Sequence, residues 1–309
     1  MKKAKDSASK SFFVNFRRHW QLYLMVVPAV IHLILFPYRS IYGVQIAFKD
    51  FQFKDGIIGS PWVGFDHFVR MFKSYWYPII LKNTLLISFL EIVVSMPFTI
   101  AFAMCVNEIK SMKVKKVFQT VVNAPHFISA VVMAGMLSLF LSPTNGIINK
   151  FIEMLGGEAI AFLQYPEAYK WIHVISGMWQ GTGWGAILYL AALASVDPNC
   201  LEAAEIDGAS RLQRIWYINI PTIIPTICMK LILAIGSIMT VNASKILLLQ
   251  NKTNLLGSEV IGTYVYKVGI QQYDYSFASA VGLFNSLVNT VLILSANWFS
   301  KKVAKSGLW

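Results

Sequence analysis

Long apolar stretches alternate with short charged segments along most of this chain, and the pattern predicts six membrane-crossing helices. A helix needs about 20 mostly apolar residues to cross a bilayer. The positions between Arg18 and Arg39 contain no Asp, Glu, Lys or Arg, which predicts a first span over about 20–40, kinked or ended by Pro28 and Pro37. A second span is expected near 79–106, with Lys82 at its start and Glu91 inside. No formally charged residue occurs from Val117 to Asn149. That run is too long for one helix, and Ser142-Pro143-Thr144-Asn145-Gly146 supplies the stop of the third span. The fourth covers about 171–195, the fifth about 218–244 with Lys230 interrupting it, and the sixth about 276–300. The basic N-terminal stretch leads into an apolar run without a small-x-small cleavage site, so the first span reads as an uncleaved anchor.

Composition narrows the class. Of 309 residues, 56% are hydrophobic and only 14% charged, against about 25% charged in an average soluble domain. Mean hydropathy is +0.56. A soluble enzyme, a disordered chain and a secreted disulfide scaffold are excluded; a polytopic membrane protein or a very apolar complex subunit remains. The net charge of +12 acts as an orientation signal. With the N-terminus inside, segments 1–19, 107–116, 196–217 and 301–309 hold 15 Lys and Arg in 60 residues, while 39–78, 142–170 and 245–275 hold 10 in 100. Cytoplasmic segments are the basic ones, so both termini are expected inside. The charge is scattered over short loops, which argues against a nucleic-acid partner. Cys105, Cys200 and Cys228 are not placed for a disulfide or a metal site.

Segment 196–217 breaks the basic pattern. Asp197, Glu202, Glu205 and Asp207 stand against only Arg211 and Arg214. Asp197 with Pro198 reads as an N-cap and first-turn pair, and Leu201 to Glu205 propagates a helix. Gly208 suits a left-handed stop, and Ser210 with Gln213 forms a capping box that starts a second helix. Pro221 and Pro225 then mark the start of the fifth span. A rigid acidic elbow with two small alanines suits docking into a groove on a cytoplasmic partner. A plain interfacial connector between spans fits the local pattern equally well.

Glu202-Ala203-Ala204, three residues, Gly208, nine residues, then Ile218-Asn219-Ile220-Pro221 resembles the EAA loop, EAA-x3-G-x9-I-x-L-P, of permease subunits of binding-protein-dependent ABC importers. Ile220 replaces the preferred Leu, a volume-conserving change. In that family the loop is a coupling helix seated in a cleft of the ATPase subunit, so the resemblance implies coupling roles for Glu202, Ala203, Ala204, Asp207, Gly208 and Arg211. Further stretches are similar to carbohydrate permeases of the maltose-permease class, in the branch that imports oligosaccharides in Gram-positive bacteria. These are Ile41-Tyr42-Gly43 through Asp50, Ser60 to Phe65, Trp179 to Gly185, Tyr189 to Leu193, Tyr273 to Ser276 with Ala278, and Gly307-Leu308-Trp309.

The resemblance implies an all-α polytopic permease in the cytoplasmic membrane. Tails 1–19 and 301–309 would flank a six-span domain over 20–300, with its coupling loop at 196–217. Its implied partners are a homologous second permease, two cytoplasmic ATPase subunits, an extracytoplasmic solute-binding lipoprotein, the lipid bilayer, and a sugar or oligosaccharide. The chain lacks G-x-x-x-x-G-K-[ST], so ATP and Mg are expected on the ATPase, with no cofactor and no enzymatic activity here.

Sugars are held by aromatic faces and by amide or hydroxyl hydrogen bonds. Trp179, Gln180, Trp184 and Tyr189 in the fourth span carry that chemistry, as do Asn123, His126, Asn242, Asn285 and Asn289. Lipid-facing or packed positions compete for the aromatics, and interhelical hydrogen bonds for the asparagines. Gly181, Gly183 and Gly185 either open a cavity or let helices approach closely. Glu91 and Lys230 are costly inside a bilayer and are therefore functional candidates; Glu91 either lines the path or pairs with Lys230. Lys82 and Lys245 are expected to snorkel, and the external aromatics, Trp62 among them, to anchor at the interface. His32, His126 and His173 lack metal-ligand spacing. An ABC importer of another solute, an ion-coupled secondary transporter and a membrane-embedded enzyme are the rival classes. The second would need more intramembrane carboxylates than Glu91, and the third a clustered catalytic constellation.

Overall fold

The computed structural model describes residues 18–304 and Gly307; residues 1–17, 305, 306, 308 and 309, which include most of the basic N-terminal tail and the last two residues of the Gly307-Leu308-Trp309 motif, lie outside the described residues. Among the described residues the regular elements are helical, with one isolated antiparallel bridge between Lys49 and Trp62. The principal helices are α1 (Trp20–Phe48), α2 (Asp66–Lys73), α3 (Trp76–Asn107), α4 (Met112–Phe127), α5 (Ala130–Phe140), α6 (Ile147–Met154), α7 (Pro166–Leu193), α8 (Pro198–Ile206), α9 (Arg211–Gly236), α10 (Ala243–Leu249), α11 (Ile261–Tyr266) and α12 (Tyr275–Ala304). Helices α1, α3, α9 and α12 are each long and apolar enough to cross a membrane, and counting the bent pairs α4–α5 and α7–α8 as single spans gives up to six.

The chain forms two compact units, divided after His67. In the first, no residue from Trp20 to Leu33 is buried, an arrangement that suits apolar surroundings and not water. Residues 49–67 close on themselves around Lys49. Its Nζ donates to the carbonyls of Ile57 (2.7 Å) and Ile58 (3.0 Å) and lies 4.7 Å from the centre of the Trp62 ring. Trp62 thus covers an ammonium besides being exposed.

In the second unit three buried clusters tie the long helices together. One joins Tyr77 and Ile80 to Phe277 and Val281, another joins Ile87 to Tyr169 and Ile246, and a third joins Met104 to Tyr189 and Ile223. Widened turns precede two of the span prolines, while Pro28 and Pro225 are carried within regular helix. Glu91–Ser95 precedes Pro97, and Ile215–Asn219 precedes Pro221. A widened turn frees backbone room where the proline ring would clash and its missing N–H would leave a gap.

Two expected spans differ from their sequence outlines. The charge-free run from Val117 bends by 95° between α4 and α5. Pro125 disrupts the first helix, and the Ser129 hydroxyl accepts from the Val132 amide (3.3 Å) to start the second. The fifth span ends at Gly236 and not near 244. Backbone unwound at membrane depth persists only where protein groups satisfy it, and distant side chains do so here. The Ser88 hydroxyl donates to the Ile238 carbonyl (2.6 Å). Asn289 Oδ1 accepts from the Met239 amide (3.2 Å), and its Nδ2 donates to Thr240 Oγ1 (3.0 Å). Asn289→Leu is therefore expected to cost about 1–3 kcal/mol and to lower the thermal midpoint of the purified protein. Ser286→Ala, on the exposed side of the same helix, should leave it in place.

Candidate functional site

Helices α3, α7 and α9 enclose a cavity of about 440 Å³. Its wall carries Glu91, Ser95 and Thr99 from α3, Tyr189 from α7, Lys230 from α9, and Ser237 just beyond α9. Residues four apart share a helix face, so Gly177, Gly181 and Gly185 give α7 a side-chain-free stripe against the cavity. A Cβ at Gly181 would meet nothing within 4 Å. Gly183 faces elsewhere: a Cβ there would lie 2.4 Å from the Val122 carbonyl oxygen and 2.5 Å from Asn123 Oδ1. Of the three glycines expected to open a cavity or permit close packing, Gly181 does the first and Gly183 the second, while Gly185 does both, since it lines the cavity and a Cβ there would lie 3.2 Å from Thr99 Cγ2.

Glu91 opens the widened turn of α3, and its Oε1 lies 3.3 Å from His173 Nε2 of α7, with its side chain 42% exposed. Its partner among the described residues is therefore His173 and not Lys230. Lys245, expected to snorkel, is only 7% exposed. The break after Gly236 turns α10 back beneath α7, where Lys245 Nζ donates to the His173 carbonyl and to Ser176 Oγ, both at 3.0 Å.

The remaining expected path residues lie off this wall. Trp179 borders a separate, apolar cavity of about 570 Å³ with Phe140 and Trp171. Gln180 Nε2 donates to the Ile128 carbonyl (2.7 Å) and so pins the α4–α5 bend. Trp184 stacks on His126, ring centres 4.7 Å apart and planes within 1°. Asn242 caps α10 through the Ser244 amide (3.0 Å), and Asn289 holds the unwound turn. Among the described residues the buried Oδ1 atoms of Asn123 and Asn285 have no hydrogen-bond partner. Glu91 and Tyr189 alone of the ten expected path residues meet at the cavity.

Segment 197–214 folds as its local chemistry dictates. Asp197 Oδ1 accepts from the Asn199 amide (2.9 Å). Helix α8 closes with Ala209 N donating to Ala204 O (2.9 Å), Gly208 N donating to Glu205 O (3.1 Å), and Gly208 at φ +79°. This paired bonding is the Schellman stop, which needs a left-handed residue. Ser210 and Gln213 exchange both bonds of the capping box. Arg214 Nη1 donates to Glu205 Oε2 across the elbow (3.0 Å); at 68% exposure of Glu205 this pair contributes about 0.2–1 kcal/mol. Glu202, Ala203, Asp207, Gly208 and Arg211 are exposed, and Ala204 is half-buried. The helix that begins at Arg211 does not stop at Pro221 but continues as α9 to the cavity wall.

Residues 95–305 match the family described as the binding-protein-dependent transport system inner membrane component. The chain belongs to this family. The match spans the elbow and the α7 and α9 walls of the cavity. The permease is 37% identical over 305 residues to the polygalacturonan/rhamnogalacturonan transport system permease protein YteP of Bacillus subtilis (strain 168), covering 99% of this chain and 95% of that protein. It is 38% identical over 299 residues to protein LplB of the same organism, covering 97% and 94%. A chain in the crystal structure of a bacterial alginate ABC transporter, in complex with an alginate pentasaccharide-bound periplasmic protein, matches with a TM-score of 0.87 at 38% identity, covering 96% of this chain and 99% of that one. The permease is thus a multi-pass membrane subunit of an ABC importer, a transport component and not an enzyme.

Sequence reasoning passed over Ser95, Thr99, Ser237 and Gly177, and it considered His173 only as a metal ligand and Lys245 only as a snorkelling side chain. For two of them a signal existed: Ser88, Glu91, Ser95 and Thr99 form a polar stripe at helical spacing along the otherwise apolar α3. Lys245 had none, because its burial follows from the break in the preceding helix.

Proposed function

We propose that the permease forms half of a translocation path for a sugar or oligosaccharide, delivered by an extracytoplasmic solute-binding lipoprotein and driven by ATPase subunits that dock on α8. A homologous second permease completes the path, and ATP and Mg²⁺ reside on the ATPase. Both termini and the 196–217 elbow lie in the cytoplasm, as the distribution of Lys and Arg supports. The observation that carries this reading is the elbow itself. Its exposed EAA-x3-G helix is fixed by a Schellman stop and a capping box, and it joins α9 without interruption.

Closure of the ATPase pair around nucleotide would displace α8. The continuous α9 would carry that displacement to Lys230 and the cavity roughly 20 Å beyond the elbow, at about 1.5 Å per residue. Energy enters as a difference in nucleotide affinity between the inward- and outward-facing states. Permeases named for polygalacturonan/rhamnogalacturonan transport and a transporter crystallised with an alginate-bound protein support a saccharide cargo.

Co-purification with a nucleotide-binding subunit, followed by uptake into proteoliposomes, tests the proposal. Vanadate-sensitive, ATP-dependent oligosaccharide uptake is the expected result. Uptake that proceeds without ATPase subunits and collapses with an ionophore would replace it with an ion-coupled mechanism.

A further inference from the structure

The cavity wall carries two formal charges on its lining side chains, Glu91 and Lys230. Glu91 is engaged by His173, with the Lys245 ammonium nearby: a Cβ on Gly177 would lie 3.5 Å from Lys245 Nζ and 3.9 Å from Glu91 Oε1. Lys230 has no hydrogen bond and no ion pair among the described residues. It lies ten residues beyond Ile220 on α9, roughly 15 Å along the helix axis and inside the apolar fifth span. An ammonium at that depth without a carboxylate beside it is costly, and such residues mark the path of a charged or polar cargo. Tyr189 borders this space but is 1% exposed and packs into the core with Met104 and Ile223, its hydroxyl buried out of reach of a ligand. Ser95, Thr99 and Ser237 add hydroxyls around the same space. A volume of about 440 Å³ falls in the range of ligand pockets, about 300–1,000 Å³.

We propose that Lys230 reads the carboxylate of a uronate-bearing oligosaccharide as it passes this cavity, with Ser95, Thr99 and Ser237 bordering the same stretch of sugar. The ammonium meets the carboxylate in a charge-assisted bond that a neutral sugar cannot form. The Lys245 ammonium beside Glu91 offsets that carboxylate's charge, which leaves Lys230 as the uncompensated cation of the wall. The inference rests on the permease being an oligosaccharide importer and adds to it the charge of the cargo and the residue that recognises it.

The test uses the assembled transporter, with second permease, ATPase and binding protein, in proteoliposomes. Radiolabelled trigalacturonate and trimannuronate are the acidic probes, and a carboxyl-reduced trisaccharide the neutral one. Wild type is expected to accumulate at least one acidic probe. Lys230→Gln should reduce that uptake efficiency about tenfold or more, the range expected for losing a hydrogen bond to a charged group, while Lys230→Arg retains most of it. Undiminished acidic uptake by an assembled Lys230→Gln transporter would overturn the assignment. So would loss of the second permease from the purified Lys230→Gln complex, since Lys230 would then be a structural contact. Wild-type uptake of the neutral probe alone would also refute an acidic cargo while leaving the importer reading intact. A complete complex that hydrolyses ATP but moves none of the probes would instead count against the oligosaccharide reading itself.

Discussion

Gly208→Asp is expected to abolish uptake while the protein still inserts into the membrane at its normal level. Gly208 sits at φ +79° in the Schellman stop of α8, where an ordinary residue costs about 1–2 kcal/mol. A Cβ there meets nothing within 4 Å, so the fold of the spans has no steric reason to fail. The loss arises at the proposed docking surface, where a new carboxylate joins Asp207 and Glu205 and the elbow is strained. Gly208→Asn isolates the effect of charge, because asparagine and aspartate tolerate the left-handed conformation alike and only aspartate is charged. It should retain a substantial part of the uptake. Whole-cell uptake normalised to membrane level by immunoblot measures both. Normal transport by a correctly inserted Gly208→Asp protein would remove α8 from the coupling mechanism.

The second large effect is expected two residues apart on α7, with opposite causes. Gly181→Leu places a side chain in open space on the cavity wall. It should bring uptake to background with the complex assembled and its thermal midpoint intact. Gly183→Val instead drives a Cβ into the Val122 carbonyl at 2.4 Å. Backbone cannot rotate away as a side chain can, so α4 must shift, and overpacking of this kind costs about 1–3 kcal/mol or more. Reduced membrane level and a lower thermal midpoint are the expected signs. Equal stability of the two variants would contradict the packing described for Gly183. Normal uptake by Gly181→Leu would contradict a path along this face.

The elbow was legible in the sequence because its determinants are local. The Asp197, Gly208 and Ser210–Gln213 bonds all close within five residues. The spans were legible as long apolar helices because length and apolarity decide them; four stand unbroken, and up to six are reached by counting the two bent pairs. Their interruptions were not, because the groups that satisfy them are remote: Gln180 acts on Ile128 from 52 residues away, Asn289 on Met239 from 50, and Ser88 on Ile238 from 150. The same separation explains the scattered path residues. Trp179, Gln180 and Asn242 have sugar-binding chemistry, yet tertiary contacts assign them to an apolar cavity, a bend and a cap. Glu91 and Lys230 were identifiable for a different reason: the bilayer makes any charge inside a span expensive, so their presence alone marked the cavity.

Native Cys200, exposed on α8, gives the most direct test of the central claim that this helix docks on an ATPase. Cys105 and Cys228 are replaced by serine, and the ATPase carries a single cysteine in its cleft. Mild oxidation is then applied to the assembled transporter with and without ATP and vanadate. Docking predicts a Cys200–ATPase disulfide whose yield changes between the two nucleotide states. No crosslink in either state, together with labelling of Cys200 by a membrane-impermeant maleimide added outside intact cells, would contradict it.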